Sequence, residues 1–259
     1  MPYDETLFAG TAAWYAQYRP PYPDELIDDI VAHFALDGTG ALLDLGCGPG
    51  TVTLPLAPYF SRVVAADPDA SMVEALREAA AGDGRIEAMV MHAEDVSPAL
   101  GSFRLVTCGS SFHWMQYEVA LARMREVLAP GGGVALLGGL HAWWEGDLDW
   151  QRAVTRVIKR YLGAERRTGK TSVAKATFDR FEVILPRHGW KVELERGYDQ
   201  RIEWTADSIV GYLWSTSFAN RGLFGERVDE FESELRAELA ALGETFVEMG
   251  SFGVVCARP

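Results

Sequence analysis

The sequence predicts an α/β protein with a mostly parallel sheet. Residues 42–51 form an apolar run followed by a glycine-rich turn, which is typical of a buried parallel strand leading into a ligand-binding loop. Further apolar strands alternate with helices, and the next strand, residues 62–66, is followed by Asp67. Because ligands of open parallel sheets bind beyond the carboxyl ends of the strands, these observations predict a ligand site there.

Composition restricts the class of protein. The chain has 259 residues, of which 48% are hydrophobic and 24% charged, as in globular proteins with a sizeable core. A net charge of −13 argues against a nucleic-acid partner, since phosphate binding depends on Lys and Arg. The apolar runs are too short for a membrane span and the first residues lack a signal-peptide pattern, so we expect no membrane partner and a cytoplasmic location.

The cysteines indicate no metal or disulfide. Cys47, Cys108 and Cys256 are widely spaced and include no C-x-x-C pair. We therefore expect neither a zinc site nor a disulfide framework, and we assign no metal ligands.

The glycine loop distinguishes between two kinds of cofactor. After Gly46 and Gly48, a dinucleotide loop of the form G-x-G-x-x-G requires glycine at the position of Thr51, whereas the third glycine here is Gly50. An acidic residue followed by G-x-G-x-G resembles the first motif of the class I S-adenosylmethionine-dependent methyltransferases. The resemblance implies that the cofactor S-adenosylmethionine is bound by Asp44, Gly46, Cys47, Gly48 and Gly50.

Other motifs follow in the order that this family shows. They are an acid after the second strand, A-E-D at 93–95, F-H-W at 112–114 and P-G-G at 130–132. The resemblance covers the whole chain and is strongest from Leu42 to Leu137. It implies a Rossmann-like, seven-stranded, mostly parallel sheet with helices on both faces, an antiparallel last strand and a helical cap inserted after the fifth strand.

We divide the chain into three parts on this basis. Residues 1–140 are the expected cofactor-binding core with an N-terminal lid helix, and residues 141–188 the helical cap, whose second helix runs from Phe178 to Leu185. Residues 189–259 are expected to complete the sheet and the acceptor pocket. The final strands, 246–249 and 252–256, are predicted to form an antiparallel hairpin. Pro58 is expected to shorten the helix that spans residues 51–59.

The acid after the second strand is the expected ribose ligand. A carboxylate at a strand end can accept both ribose hydroxyl hydrogens, although Asp67 or Asp69 could instead cap the next helix. We expect Asp67 on the ribose, with Pro68 beside it, and Asp69 at the cap. Met72 would touch the adenine, although a Met at this spacing could equally be core. The A-E-D resemblance implies adenine recognition by Ala93, Glu94 and Asp95, and Ser110 completes the expected cofactor site.

The segment before the sheet resembles a particular methyltransferase subgroup. Residues 18–26 read Y-R-P-x-Y-P-x-E-L, which resembles the entry to small-molecule methyltransferases related to trans-aconitate methyltransferases. The resemblance implies that the preceding aromatic helix, with Tyr15, covers the cofactor and that Arg19 holds its carboxylate. The alternative is that Arg19 is a solvated charge and that the tyrosines serve packing.

His113 is the candidate general base. An ordinary histidine pKa of about 6.5 allows proton acceptance near neutral pH. The alternative is that His113 and Trp114 are structural. The expected acceptor pocket is aromatic, which suggests a flat or apolar acceptor, although tryptophans are also common in cores. Its residues are Trp14, His113, Trp114, Trp143, Trp214 and Ser217.

Together these features predict methyl transfer from S-adenosylmethionine to a small organic acceptor, which could be a carboxylate, a phenol or a carbon acid. Positioning is expected to dominate the chemistry, by a monomer or a homodimer. Thr51 disfavours a nicotinamide-dependent oxidoreductase. A module that binds S-adenosylmethionine without methyl transfer, or a non-methylating enzyme, shares the fold and stays an alternative.

Overall fold

The computed structural model of the protein describes residues 8–140, 143–168, 172–173 and 180–259. Within these ranges the strands are β1 (Ala41–Leu45), β2 (Arg62–Asp67), β3 (Ile86–Val90), β4 (Phe103–Gly109), β5 (Leu128–Leu140), β6 (Arg167–Thr168), β7 (Ser172–Val173), β8 (Lys191–Thr205) and β9 (Thr245–Arg258). The helices are α1 (Ala12–Tyr18), α2 (Asp24–His33), α3 (Thr53–Leu56), α4 (Ala70–Ala79), α5 (Tyr117–Val127), α6 (Asp149–Leu162), α7 (Phe181–Arg187), α8 (Ala206–Trp214), α9 (Arg221–Phe224) and α10 (Val228–Ala240).

The main sheet has seven strands, in the order β3-β2-β1-β4-β5-β9-β8. The pairs among β1 to β5 are parallel, whereas β9 runs antiparallel to both β5 and β8. Strands β6 and β7 form a separate two-stranded antiparallel sheet. The predicted seven-stranded, mostly parallel sheet with an antiparallel last strand is confirmed.

Helices cover both faces of the sheet because successive strand residues point to opposite sides. Leu43 and Leu45 of β1 belong to a core cluster that includes Leu121 of α5. Leu42 belongs to the cluster on the other face, with Ile30 of α2. Every residue of β1 is buried, which is why the strand reads as an apolar run instead of an alternating one.

An aromatic helical layer lies beside the sheet. Helices α6, α8 and α10 share one core cluster, and its largest fully buried side chains are Trp143, Trp214 and Phe231. Helix α7 packs on the sheet, since its residues Ile184 and Leu185 belong to the cluster that contains β4 and β5. Phe178, the expected start of this helix, lies outside the described residues. The division at 140 and 188 stays a prediction.

The predicted hairpin near the C-terminus is wrong. β9 is one continuous strand, and it pairs with β8 from Thr245 opposite Thr205 to Arg258 opposite Lys191. The expected turn at 250–251 is absent there, because Gly250 and Ser251 pair in register with Gln200 and Asp199. Strand β8 is long enough to pair with Gly250 and Ser251 through backbone hydrogen bonds, so β9 continues through these residues without a turn.

Pro58 shortens the helix after the glycine loop as predicted. Helix α3 spans only Thr53–Leu56, and a 3-10 turn over Ala57–Tyr59 contains the proline. None of the helices within the described ranges is long and apolar enough to cross a membrane.

Candidate active site

A cleft opens at the carboxyl ends of β1, β2 and β4. The space between its walls amounts to about 650 Å³, including space open to solvent. Ten of the predicted site residues line it: Tyr15, Gly46, Gly48, Asp67, Pro68, Met72, Ala93, Glu94, Ser110 and Trp114. It is also lined by Phe8, His92, Gly109, Ser111 and Met115.

The glycine loop forms the floor of the cleft. Gly46 has a φ of +63°, and a Cβ there would lie 2.4 Å from the Cβ of Ser111, so a side chain is excluded by packing. Gly48 has a φ of +54°, and a Cβ there would meet no atom within 4 Å. The backbone at Gly48 therefore borders open space in the cleft, as a loop that a ligand approaches closely requires.

Asp67 lies at the end of β2 and is only 7% exposed. Its Oδ2 accepts a hydrogen bond from the Gly48 N–H at 2.9 Å, and its Oδ1 accepts one from the Asp69 N–H at 2.9 Å. Burial raises the pKa of Asp67 to about 6. Each carboxylate oxygen keeps a second acceptor site, so both remain able to bind a ligand hydroxyl.

Asp69 caps the next helix, as predicted. Its Oδ1 accepts a hydrogen bond from the Ser71 N–H at 2.8 Å at the start of α4. The ribose role of Asp67 stays a prediction.

Three predicted residues of the loop support it from behind and do not line the cleft. Asp44 is fully buried, and its two oxygens accept hydrogen bonds from the hydroxyls of Thr53 at 2.5 Å and Thr107 at 2.7 Å. Burial raises the pKa of Asp44 to about 6. Cys47 is 4% exposed, and Gly50 packs against α4. These residues shape the loop through contacts below it.

Three residues predicted to contact adenine line the cleft, and their adenine role stays a prediction. Met72, Ala93 and Glu94 line it, and Met72 is otherwise buried in α4. The Oε1 of Glu94 accepts a hydrogen bond from the Gln116 N–H at 2.7 Å, which leaves its second oxygen available. Asp95 is exposed and does not line the cleft. Glu94 is therefore the better placed of the two acids.

The N-terminal segment covers part of the cleft. Phe8 and Tyr15 line it, and the Phe8 ring packs edge-on against Trp114 with centroids 5.9 Å apart. Arg19 does not line the cleft. Its Nε donates to the Ser215 Oγ at 2.9 Å and its Nη2 to the Ser215 carbonyl at 3.0 Å. The guanidinium lies 4.7 Å from the Tyr15 ring and 4.8 Å from the Tyr212 ring, so Arg19 fastens α1 to α8.

His113 lies in the 3-10 turn Phe112–Trp114, beside the cleft. Trp114 lines the cleft but His113 does not, and the two rings are 4.7 Å apart. Burial, together with the positive charge of Arg166, lowers the pKa of His113 to about 4. The imidazole is therefore neutral at pH 7 and a weak proton acceptor.

The other predicted acceptor residues are not in this cleft. Trp143 is 2% exposed, and its Nε1 donates to Glu248 at 2.9 Å. Trp214 is 1% exposed and packs against aromatic rings of α9 and α10. Trp14 stacks on Tyr18, and Ser217 is half-buried near α8. Trp143 and Trp214 occupy the aromatic core of the helical layer, the alternative considered for tryptophans. The acceptor roles of these residues stay predictions.

Five cleft residues had no predicted role. His92 follows β3, Gly109 ends β4 and Ser111 follows β4, all at the same edge as Asp67, so the strand-end rule could have identified them. The hydroxyl of Ser111 donates to the Leu45 carbonyl at 2.7 Å and joins β4 to the glycine loop. No local sequence pattern indicates that Phe8 and Met115 line the cleft.

The fold is Rossmann-like, and its cleft lies at the carboxyl edge of the sheet, where ligands of such folds bind. A family model described as a methyltransferase domain matches residues 42–132. An uncharacterized methyltransferase from Schizosaccharomyces pombe is 28% identical over 231 residues, covering 88% of this chain and 85% of that protein. A trans-aconitate 2-methyltransferase from Rhodopseudomonas palustris is 30% identical over 131 residues, covering 48% of this chain and 50% of that protein.

Other matches are also to proteins named as methyltransferases. In four further methyltransferase-named relatives the match covers 60–61% of their length. The structure of a methyltransferase from Thiobacillus denitrificans, solved with S-adenosyl-L-homocysteine, superposes with a TM-score of 0.52 over 100% of this chain and 99% of that one. At 16% identity this likeness concerns the fold alone. Residues 42–132 thus match a methyltransferase domain, in agreement with the resemblance to the class I S-adenosylmethionine-dependent methyltransferases.

Proposed function

We propose that this methyltransferase moves the methyl group of S-adenosylmethionine to a small organic acceptor, and that it acts mainly by positioning. The observation that carries the proposal is the meeting of Gly48 and Asp67 in one cleft, with open space above the glycine and a carboxylate held at the strand end. This arrangement suits a ribose beside a closely approached backbone.

The cofactor residues are assigned from their place in the cleft. Asp67 accepts the ribose hydroxyls, with Pro68 beside it. Met72 and Ala93 contact the adenine, and the free oxygen of Glu94 accepts from its amine. Asp44, Cys47 and Gly50 act through the shape of the loop.

The chemistry requires little from the protein beyond alignment. When bound, the cofactor supplies an electrophilic methyl group on a sulfonium. Phe8, Tyr15 and Trp114 form an aromatic wall that limits the access of water. Tight alignment of acceptor and methyl group can lower a barrier by roughly 7–11 kcal/mol.

Among the three acceptor classes, a carboxylate fits best. A carboxylate is ionised at neutral pH and needs no base, whereas a phenol or a carbon acid must lose a proton. His113, with a pKa lowered to about 4, offers such acceptors little help.

A panel assay tests the proposal. The protein is incubated with S-adenosylmethionine and a panel of carboxylates, phenols and amines, and the products are analysed by mass. We expect a gain of one methyl group on a carboxylate, with release of S-adenosylhomocysteine. Cofactor binding without any methylated product across the panel would favour the non-transferring module.

A further inference from the structure

Ser110 has an unfavourable backbone conformation at the edge of the cleft. It lines the cleft directly after β4 and has a φ of +52°, a left-handed value that side chains disfavour. Its N–H donates to the Leu137 carbonyl at 2.8 Å, which fixes the turn. Glycine would adopt this conformation without strain, so a serine here points to a use for its hydroxyl.

The hydroxyl of Ser110 is paired with a tyrosine. The Tyr22 hydroxyl oxygen lies 2.9 Å from the Ser110 Oγ, and either atom could donate. Within the described residues this is the one hydrogen bond of the Tyr22 hydroxyl. The Tyr22 ring is held edge-on against Phe252, with centroids 5.9 Å apart.

Burial favours one direction of this hydrogen bond. It raises the pKa of Tyr22 well above its ordinary value, so the phenol keeps its proton, and the side chain is half-buried. An unpaired buried O–H is costly, and Ser110 Oγ is the available acceptor. With Tyr22 as the donor, the serine O–H remains able to donate into the cleft. Because consecutive hydrogen bonds polarise one another, the bond from Tyr22 to Ser110 strengthens the hydrogen bond that Ser110 donates to a ligand.

The position of the pair indicates its ligand. Asp67 ends β2 and Ser110 follows β4, and β1 lies between these strands. Two strand spacings amount to about 10 Å. A cofactor whose ribose binds Asp67 on one side can therefore extend its amino-acid portion across the glycine loop towards Ser110.

We propose that Tyr22 and Ser110 form a hydroxyl pair in which Tyr22 donates to Ser110 and Ser110 donates to the carboxylate of the cofactor's amino-acid portion. This inference rests on the proposed function. It assigns Tyr22 as a positioning residue, which acts through Ser110 without touching the ligand.

Two ligands separate this role from a structural one. S-adenosylhomocysteine carries the carboxylate, whereas 5′-methylthioadenosine keeps the adenine and ribose but lacks the amino-acid portion. We expect Ser110→Ala to weaken S-adenosylhomocysteine binding about tenfold and to leave methylthioadenosine binding unchanged, as measured by calorimetry. Tyr22→Phe should weaken S-adenosylhomocysteine binding less than Ser110→Ala does, and it should also leave methylthioadenosine binding unchanged. The double variant should bind S-adenosylhomocysteine no more weakly than Ser110→Ala. Tyr59→Phe, which alters a tyrosine outside the cleft, is the matched control.

Ser110→Gly distinguishes binding from folding. It is made in the Tyr22→Phe background, where no tyrosine hydroxyl is left unpaired, and it removes the serine hydroxyl and the strain together. The melting temperature should therefore equal or exceed that of Tyr22→Phe, while S-adenosylhomocysteine binding is weakened relative to that variant. Equal losses for both ligands, or unchanged S-adenosylhomocysteine binding, would overturn the inference and leave the proposed function standing. A wild-type protein that binds neither ligand would overturn both.

Discussion

Two buried carboxylates lie on either side of the glycine loop, and their surroundings give them different roles. Asp44 has both oxygens engaged by threonine hydroxyls below the loop, whereas Asp67 accepts backbone N–H groups and faces the cleft. The sequence predicts both as acids of the cofactor site. It could not separate them, because their difference lies in partners such as Thr107, distant along the chain.

The buried acid Asp44 should make stability depend on pH. Its folded pKa of about 6 exceeds an unfolded value of about 3.9, so the folded state binds more protons between these values and its stability falls as pH rises through them. Asp44→Asn removes this contribution to the pH dependence of stability. Relative to the wild type, we expect the variant to gain stability between pH 4 and pH 7, by at most about 3 kcal/mol, in thermal melts.

Asp37 provides a control of opposite sign. Hydrogen bonds from Thr39 and Arg104 lower its pKa to about 2. Its folded pKa lies below the unfolded value, so Asp37→Asn should lose relative stability as pH rises. If the Asp44→Asn difference were independent of pH, the raised pKa of Asp44 would be contradicted.

His113 should contribute little to proton transfer. With its pKa lowered to about 4, the imidazole is a weak base at the pH of the reaction. On a carboxylate acceptor we expect His113→Ala to reduce kcat less than tenfold and to leave the pH profile of kcat unchanged. A loss of a hundredfold or more, with a changed pH profile, would instead establish His113 as the base.

At the scale of elements, α1 joins the two layers of the molecule. Its residue Tyr15 lines the cleft, and Arg19, directly after the helix, binds Ser215 at the end of α8. The motif Y-R-P predicts an arginine near the cofactor, but the residue that it binds is 196 positions away and cannot be read locally. In the structure Arg19 binds Ser215, and this role competes with the predicted role of binding the cofactor carboxylate.

Arg19→Ala separates the two roles. If Arg19 fastens α1 over the cleft, its loss should speed the dissociation of S-adenosylhomocysteine and of 5′-methylthioadenosine by similar factors, several-fold in stopped-flow measurements. If Arg19 instead holds the carboxylate, only S-adenosylhomocysteine should dissociate faster. Arg201→Ala, a change on the exposed part of β8, should alter neither rate.

Strand β9 shows how a long partner changes a local prediction. Gly250 and Ser251 resemble a turn, yet they continue the strand because β8 pairs with them. Residues 191–205, by contrast, form a strand along which half-buried and exposed side chains largely alternate. A local sequence pattern predicts a strand correctly where one face of the strand is more buried than the other. It fails where pairing with a distant strand determines the conformation.

At the scale of the molecule, Glu248 ties the helical layer to the sheet. This buried carboxylate accepts hydrogen bonds from the side-chain N–H groups of Trp143, Gln151 and Trp204 at 2.8–3.0 Å. These residues come from different elements and are up to 105 positions from Glu248. The cleft, built from strand ends, could be predicted from motifs, but this network could not, since no spacing links its members.

Glu248→Gln should destabilise the fold. The amide replaces one acceptor oxygen with a donor, so at least one buried N–H loses its partner, at a cost on the order of 1–3 kcal/mol. We expect a melting temperature lower by several degrees. Glu244→Gln, at an exposed position just before β9, is the matched control and should melt like the wild type. Equal melting of the two variants would contradict a role for the network in stability.

The account as a whole depends on the cleft at Gly48 and Asp67 binding the cofactor. Calorimetric titration with S-adenosylhomocysteine, on the wild type and on Asp67→Ala, tests this most directly. We expect one site per chain in the wild type and an affinity lower by about 1–3 kcal/mol in the variant, because the ribose hydroxyls lose their acceptor. No binding heat across temperatures in the wild type, or equal affinity in both proteins, would contradict the account.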